Sequence, residues 1–395
     1  MSWVQTFLDA TQESEAPELY FKWSALAAIS AIVKNNVFLN RYHYVLYPNI
    51  YVMLIGRSGL RKGIPILYAR KIVEKLNNTR VIAGRNSIEA IIRELSSAET
   101  TETNPEVLKD AVGFLISSEF AAFLVRNPDA LTILTDLYDG HYNEQWRNSL
   151  KGSGVEKLSN VCLTLLGASN EIHFKDCVPL NAVGGGFIAR TILAVSTEKR
   201  GSNSLTTEPK HLIDVPALAK GLEHLVKLKG QFTYSKTGMD SYDKWYTRFD
   251  KQVITDTTGT AERLGDSVLK VAMLHSLSRG SSLIITKEDI DFAVEECENC
   301  TKGTQQVFLG TGKQSFADAT GMLVKELLKI YPEAISRQNI LRKMWGHMDA
   351  IDFDRIFETL KQAGIAEREM RGGHEFYACT KAAYEQVKHF TEGKK

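Results

Sequence analysis

Between residues 46 and 200, short apolar runs of strand length alternate with stretches of helical spacing, the order of an α/β unit with parallel strands. Tyr51–Ile55 (YVMLI) is one such run. It leads into Gly56-Arg57-Ser58-Gly59-Leu60-Arg61-Lys62-Gly63, and the helix-like PILYARKIVEKL follows. FLIS predicts a second strand, tipped by Ser117-Ser118-Glu119. NVCLTLLGASN predicts a third, tipped by Asn170. In GGGFIARTILAV (184–195) three glycines precede a segment that reads as buried, with one arginine, Arg190. Residues 1–45 read as helices, and KWSALAAISAIV gives an apolar helical face suited to core or to packing within a ring. From about 211 to 308 the spacing is again helical.

Two polar, glycine-containing stretches, Glu198–Ser204 and Gly310–Lys313, punctuate the chain. They divide it into a helical segment at 1–45, a core at 46–205, a helical segment at 206–312 and a C-terminal domain at 313–395. In the last, three helices precede IAEREM and HEFYAC, two short strands split by Arg371-Gly372-Gly373. Three helices and a β-hairpin predict a winged helix.

Net charge is +1 over 395 residues, so any nucleic-acid site must be a local patch or a pore lining rather than a basic surface. The N-terminus has no signal-peptide pattern, and the longest apolar segment, near Trp23–Val33, is too short to span a membrane. No membrane partner is expected. Five scattered cysteines suit a reducing compartment. Cys297 and Cys300 form a lone CxxC that reads as part of a helix face rather than a zinc site. Nine histidines without HxxEH or HxH spacing argue against a metal hydrolase.

Strand, glycine-containing loop, helix, with a lysine at the helix start, is how a phosphate-binding loop is built. Backbone N–H groups and the helix N-terminus surround the phosphates, and the lysine reaches the outer ones. The candidate residues are Gly56, Ser58, Gly59, Arg61, Lys62 and Gly63. The usual pattern ends Gly-Lys-Ser/Thr, whose hydroxyl holds Mg²⁺. Here Arg61 stands where the last glycine belongs, and Gly63 where the hydroxyl belongs. Nucleotide hydrolases also end a strand beside the phosphate loop in two carboxylates; here only Glu119 is acidic, and Ser118 takes the other place. Mg²⁺ would then be held by the nucleotide's phosphates and through water from Ser58, Ser117 or Ser118. These losses favour nucleotide binding over fast hydrolysis. Each of the other residues also has a plain reading: Glu119 as an ordinary strand-end residue, Asn170 as a turn cap, Arg190 as a surface ion-pairing arginine.

The order of these motifs carries a resemblance. FLISSEF resembles the hydrophobic-Asp-Glu-Phe signature of minichromosome-maintenance helicases, GFIAR their Leu-Ser-Arg-Phe finger motif, and Arg263 in AERLGDSVLKVAMLHSL their lid arginine. Taken together, YPNIYVMLIG, RKG, SEF, LYDG, NVCLTLLGAS and GGGFIAR resemble a family of phage and mobile-element helicase-like AAA+ proteins, often fused to primases. The resemblance covers roughly residues 15–310. It implies a P-loop AAA+ ATPase core with a helical lid, assembled as a homo-hexameric ring that binds ATP and Mg²⁺ and acts in DNA replication. Glu119 would polarise water, Asn170 would sense the γ-phosphate, and Arg190 and Arg263 would offset its charge, Arg190 from a neighbouring subunit.

The segment between SEF and GASN reads as a helix, a hairpin and then the strand tipped by Asn170. Related hexameric helicases project such a hairpin into the pore. The resemblance therefore implies that Lys151, flanked by Arg147 and Lys157, contacts DNA. On the C-terminal domain Arg371 and Arg368, with Arg342 and Lys343, are the phosphate contacts; protein docking is the alternative. Implied partners are single-stranded or forked DNA and a primase or polymerase, in the cytoplasm of a bacterial host. A non-catalytic initiator, loader or assembly factor with a degenerate nucleotide site is the alternative function.

Overall fold

Every residue of Tyr51–Ile55 is buried, as a strand covered on both faces of a parallel sheet must be. The computed structural model describes residues 2–96, 110–139, 145–150, 154–178, 186–202, 213–250, 258–308, 314–344, 348 and 350–385. Packing divides the chain into two units, Met1–Phe308 and Leu309–Lys395. The first unit contains the segments 1–45 and 46–205 and nearly all of 206–312. Its core is a mostly parallel sheet with helices, an α/β architecture.

Across that sheet the strands run Val81–Ala83, Asp110–Ser117, Gly154–Ser169, Tyr51–Ile55, Thr191–Val195, all parallel. Gln145–Leu150 adds an antiparallel hairpin partner to the first part of Gly154–Ser169. The strand that leads into Glu119 is thus not beside the loop strand, as expected, but separated from it by Gly154–Ser169, whose length lets it pair on both sides. Ile55 pairs with Ser169 and with Val195, and Ser117 with Gly167. The register therefore brings Gly56, Ser118 and Asn170 out of the sheet at one carboxyl-end edge. From Tyr51–Ile55 the chain crosses to Val81–Ala83 on one side; from Gly154–Ser169 it crosses to Thr191–Val195 on the other. Ligands of open α/β sheets bind where crossovers diverge in this way.

The helix Glu18–Val33 has almost every residue buried, Trp23 completely. A helix apolar on all sides belongs in a core, and this one packs between the loop helix Gly63–Leu76, the central sheet and the helix Leu264–Arg279. The core reading of KWSALAAISAIV therefore holds within this unit. The expectation that 1–45 is helical throughout is corrected: Val37–Asn40 and Val45–Leu46 form a hairpin. Val37–Asn40 also pairs in parallel with Gly230–Tyr234, which pairs with Ile284–Ile285. These last two strands likewise interrupt the helical 211–308. Pairing between positions so far apart stabilises strands whose local periodicity is too short to register.

The second unit contains the helices Gln314–Ile330, Arg337–Met344 and Ala350–Gln362, with an antiparallel sheet ordered Ile335–Ser336, His374–Cys379, Ala366–Arg371. Its core gathers Leu323, Leu327, Ile340, Phe353, Phe357 and Tyr377. No helix among the described residues is long and apolar enough to cross a membrane.

Candidate functional site

Gly56 leaves the loop strand under close packing. A Cβ there would lie 2.5 Å from the Ser196 carbonyl oxygen and 2.6 Å from both Leu60 Cδ1 and the Tyr20 hydroxyl. The Tyr20 hydroxyl donates to the Ile55 carbonyl at 2.7 Å and so ties the buried helix to the strand end. Gly59 has φ +91° and Arg61 φ +54°. Arg61 thus adopts the left-handed backbone that a glycine would take there, at a strain of about 1–2 kcal/mol. Its guanidinium turns aside, to Glu15 at 3.1 Å, where Lys199 also donates at 3.0 Å. The departure from the usual loop pattern at this position alters the side chain and keeps the backbone.

Lys62 precedes the helix Gly63–Leu76. Its Nζ donates to the carbonyls of Gly56 at 2.7 Å and Arg57 at 2.9 Å, curling over the loop. Burial lowers its pKa below the ordinary lysine value, and the Glu119 carboxylate pulls it back up. Gly63 opens onto free space: a Cβ there would meet nothing within 4 Å. Pro65, early in the helix, has no N–H to offer.

Glu119 stands just before the helix Phe120–Arg126, exposed, and its side chain makes no capping hydrogen bond. Its carboxylate is left over from the fold. Asn170 caps the helix Glu171–Cys177 through Oδ1, which accepts from the Ile172 N–H at 2.9 Å. The turn-cap reading of Asn170 is therefore realised, and its amide –NH₂ remains as a donor at the same sheet edge. Glu119 and Asn170 follow two adjacent strand ends, and Lys62 lies in the loop that follows the next, Tyr51–Ile55.

Between the loop helix, the turn after Val81–Ala83 and Ser117–Glu119 lies a cavity of about 840 Å³. Gly63, Ser118 and Glu119 line it, together with Arg70, Arg85 and Arg126. Sequence reading missed these three arginines because they come from separate elements. The one signal available was Gly84-Arg85 following a short apolar run, a strand-then-glycine turn like that at Gly56. Arg70 is paired with Glu74 at 2.7 Å and Arg126 donates to the Ala122 carbonyl at 2.9 Å, so the basic character of this wall is already partly engaged.

Arg190 and Arg263 are brought together, but not at this edge. Arg190 precedes Thr191, which pairs with Tyr51 at the opposite end of the loop strand. A five-residue strand spans about 13 Å, so neither arginine shares a phosphate with Lys62 of its own chain. Arg190 donates to both oxygens of Asp139, at 3.1 and 2.7 Å, and to the Gly186 carbonyl at 3.1 Å. Arg263, immediately before the helix Leu264–Arg279, lies 3.7 Å from the same Asp139. Burial works against the Asp139 charge, yet Arg190 and Arg263 hold its pKa below the ordinary value. A cavity of about 400 Å³ adjoins this cluster, lined also by Tyr44, Tyr138, Asp266 and Lys270. Lys270 is only 3% exposed. It donates to Asn49 Oδ1 at 2.8 Å and to the Asn49 carbonyl at 3.1 Å, and lies 3.9 Å from the centre of the Tyr138 ring. Burial lowers its pKa to about 8.

Arg147 and Lys157 are exposed and pair directly across the hairpin. Trp146 anchors the hairpin base by donating to Asp136 on the helix Ala130–Tyr138. Lys151 lies outside the described residues. In the second unit Arg371 donates to Glu369 at 2.9 and 2.6 Å, and Arg368 to Glu375 at 3.1 Å. The expected wing contacts thus already have carboxylate partners, though exposed pairs of this kind exchange at little cost. Cys297 and Cys300 are buried free thiols, held well above the ordinary pKa by burial. Among the described residues no group of three or more His, Cys, Asp or Glu is placed to hold a metal.

No protein-family model matches the chain, and no curated protein matches its sequence significantly. The resemblance drawn from the motifs rests on those motifs alone.

Proposed function

We propose that the chain is an ATP-binding, ring-forming DNA helicase or translocase of a phage or mobile element, acting in DNA replication. The observation that carries this reading is the glycine-containing loop with Lys62 after one strand, beside the strand ends followed by Asn170 and Glu119. The strand order supports it, because the acidic strand is one strand removed from the loop strand, as in AAA+ ATPases. The C-terminal unit, read as a winged helix, would contact DNA or a replication partner such as a primase or polymerase.

Lys62 leaves the Gly56 and Arg57 carbonyls for the outer phosphates, and loop N–H groups hold the rest. Glu119 orients a water for in-line attack: the new oxygen–phosphorus bond forms as the β–γ bridging bond breaks, and the water's proton passes to the carboxylate. The Asn170 amide donates toward the γ-phosphate. Arg190 and Arg263, at the far edge, serve a neighbour's site in a ring. Bound Mg²⁺ would supply charge neutralisation at the phosphates. The donor set here suits an ion carried by the nucleotide and reached through water from Ser58, Ser118 and Glu119, because Gly63 offers no hydroxyl. Arg147, Lys157 and Lys151 would line the pore for single-stranded DNA. DNA-stimulated ATPase activity tests this reading. Absence of both hydrolysis and nucleotide binding overturns it.

The second reading is a non-catalytic initiator or loader that keeps the fold for assembly. Gly63 and Ser118, in place of the two usual metal-orienting side chains, favour it. Nucleotide binding that drives oligomerisation without turnover would select it.

A further inference from the structure

The hairpin Val37–Leu46 has a tip, Arg41-Tyr42-His43-Tyr44, that the nucleotide chemistry does not use. Tyr42 is 99% exposed and sits at φ +62°. A bulky aromatic in the left-handed region is a genuine outlier in position and in strain. A fold asking only for a tight turn would place glycine or asparagine there. The turn is nonetheless well made. Asn40 Oδ1 accepts from the Tyr42 N–H at 2.9 Å, and the Arg41 N–H donates to the Tyr44 carbonyl at 2.9 Å. Arg41 is braced with its guanidinium 5.6 Å from the centre of the Tyr242 ring. Tyr44 is fixed by its hydroxyl, which donates to Asp266 at 2.9 Å. The result is a rigid hairpin that holds one phenol ring in water beside an arginine and an exposed histidine.

The basic side chains of the tip itself are Arg41 and His43, and Asp266, which accepts from the Tyr44 hydroxyl, lies against its flank. An exposed aromatic face beside cations is how unpaired nucleotides are gripped without regard to sequence: the base stacks and the backbone meets the charge.

We propose that the tip Arg41–Tyr44 is a stacking contact for single-stranded nucleic acid, with a base on Tyr42 and its backbone phosphate toward Arg41 and His43. The choice of occupant rests on the nucleic-acid part of the proposed function; the site does not depend on nucleotide hydrolysis.

The test is fluorescence anisotropy of the full-length protein with a labelled oligothymidylate and with an abasic oligonucleotide of equal length, in parallel with thermal melting. Tyr42→Ala is expected to weaken oligothymidylate binding about ten-fold. It should leave the weaker abasic binding unchanged, and Tyr42→Trp should retain the wild-type affinity. Tyr42→Gly relieves the backbone strain, so it is expected to raise the melting temperature while losing the same affinity. Wild-type affinity in both Tyr42→Ala and Tyr42→Gly overturns the proposal. If Arg147→Ala with Lys157→Ala abolishes binding while those two variants bind normally, DNA binding stands and the tip plays no part. If the wild type binds no oligonucleotide at low salt, the DNA-binding reading falls with it. A change in oligomeric state on Tyr42→Ala, at unaltered DNA affinity, assigns the tip to contact between copies and overturns the proposal.

Discussion

The two ends of the strand Tyr51–Ile55 carry charged clusters of opposite character. At the carboxyl end the backbone is tightly specified and the side chains are idle: Gly56 admits no Cβ, whereas Glu119 caps nothing and Lys62 rests on carbonyls of its own loop. At the amino end the charges are engaged. Asp139 takes Arg190 in a two-pronged pair with Arg263 close by, and Lys270 is buried against Asn49. Idle groups on a rigid frame are what a ligand needs, because binding then breaks few existing contacts. Engaged groups hold structure. An arginine working from the amino end must first be drawn from Asp139 by a competing anion, so any service to a neighbouring subunit is conditional on that anion being present.

The contrast yields graded outcomes. Gly56→Ala should cost about 1–3 kcal/mol through overpacking at the loop end, read as a fall in melting temperature. Asp139→Asn strands Arg190, whose side chain is 10% exposed, and should cost about 1–2 kcal/mol at neutral pH without weakening nucleotide binding by isolated chains. Because the folded Asp139 pKa lies below its ordinary value, its contribution is present above the ordinary carboxylate range and is lost as pH falls through the folded value. Acid melting of the variant should therefore be flatter; Asp289, lowered by His275, Thr286 and Arg279, retains part of the slope, as do Glu326 and Glu375, which are also held below the ordinary value.

Lys270 gives a slope of the same sign, in an alkaline window. With its folded pKa near 8 and an ordinary value of 10.5, the unfolded chain holds the extra proton between them. Stability should rise across that window, and Lys270→Met should remove the rise. Gly63→Thr is the mildest change: its Cβ meets nothing, so stability should hold within about 0.5 kcal/mol. The new hydroxyl should make nucleotide binding more responsive to Mg²⁺, measured by titration with and without chelator.

Much of the loop end was legible in the sequence, because it consists of contiguous segments. The run Tyr51–Ile55, the glycines, Lys62 and the strands ending at Ser117 and Ser169 each announce themselves by local pattern. The helix after Arg263 and the change of unit near residue 309 do so as well. The small sheet that seats the Arg41–Tyr44 hairpin was not legible. Its strands have two to five residues each and are paired across nearly the whole unit, which leaves no local periodicity. The arginines of the larger cavity converge from three elements for the same reason. The partnership of Arg190 and Arg263 with Asp139 was hidden too, since sequence order cannot say which end of a sheet a residue occupies.

The most direct measurement is calorimetric titration of a non-hydrolysable ATP analogue into the wild type and Lys62→Ala. Saturable wild-type binding, weakened about 10- to 100-fold in a variant that melts at the same temperature, is the expected result. Equal affinity in the two proteins, or no binding by the wild type, would contradict a phosphate site at this loop.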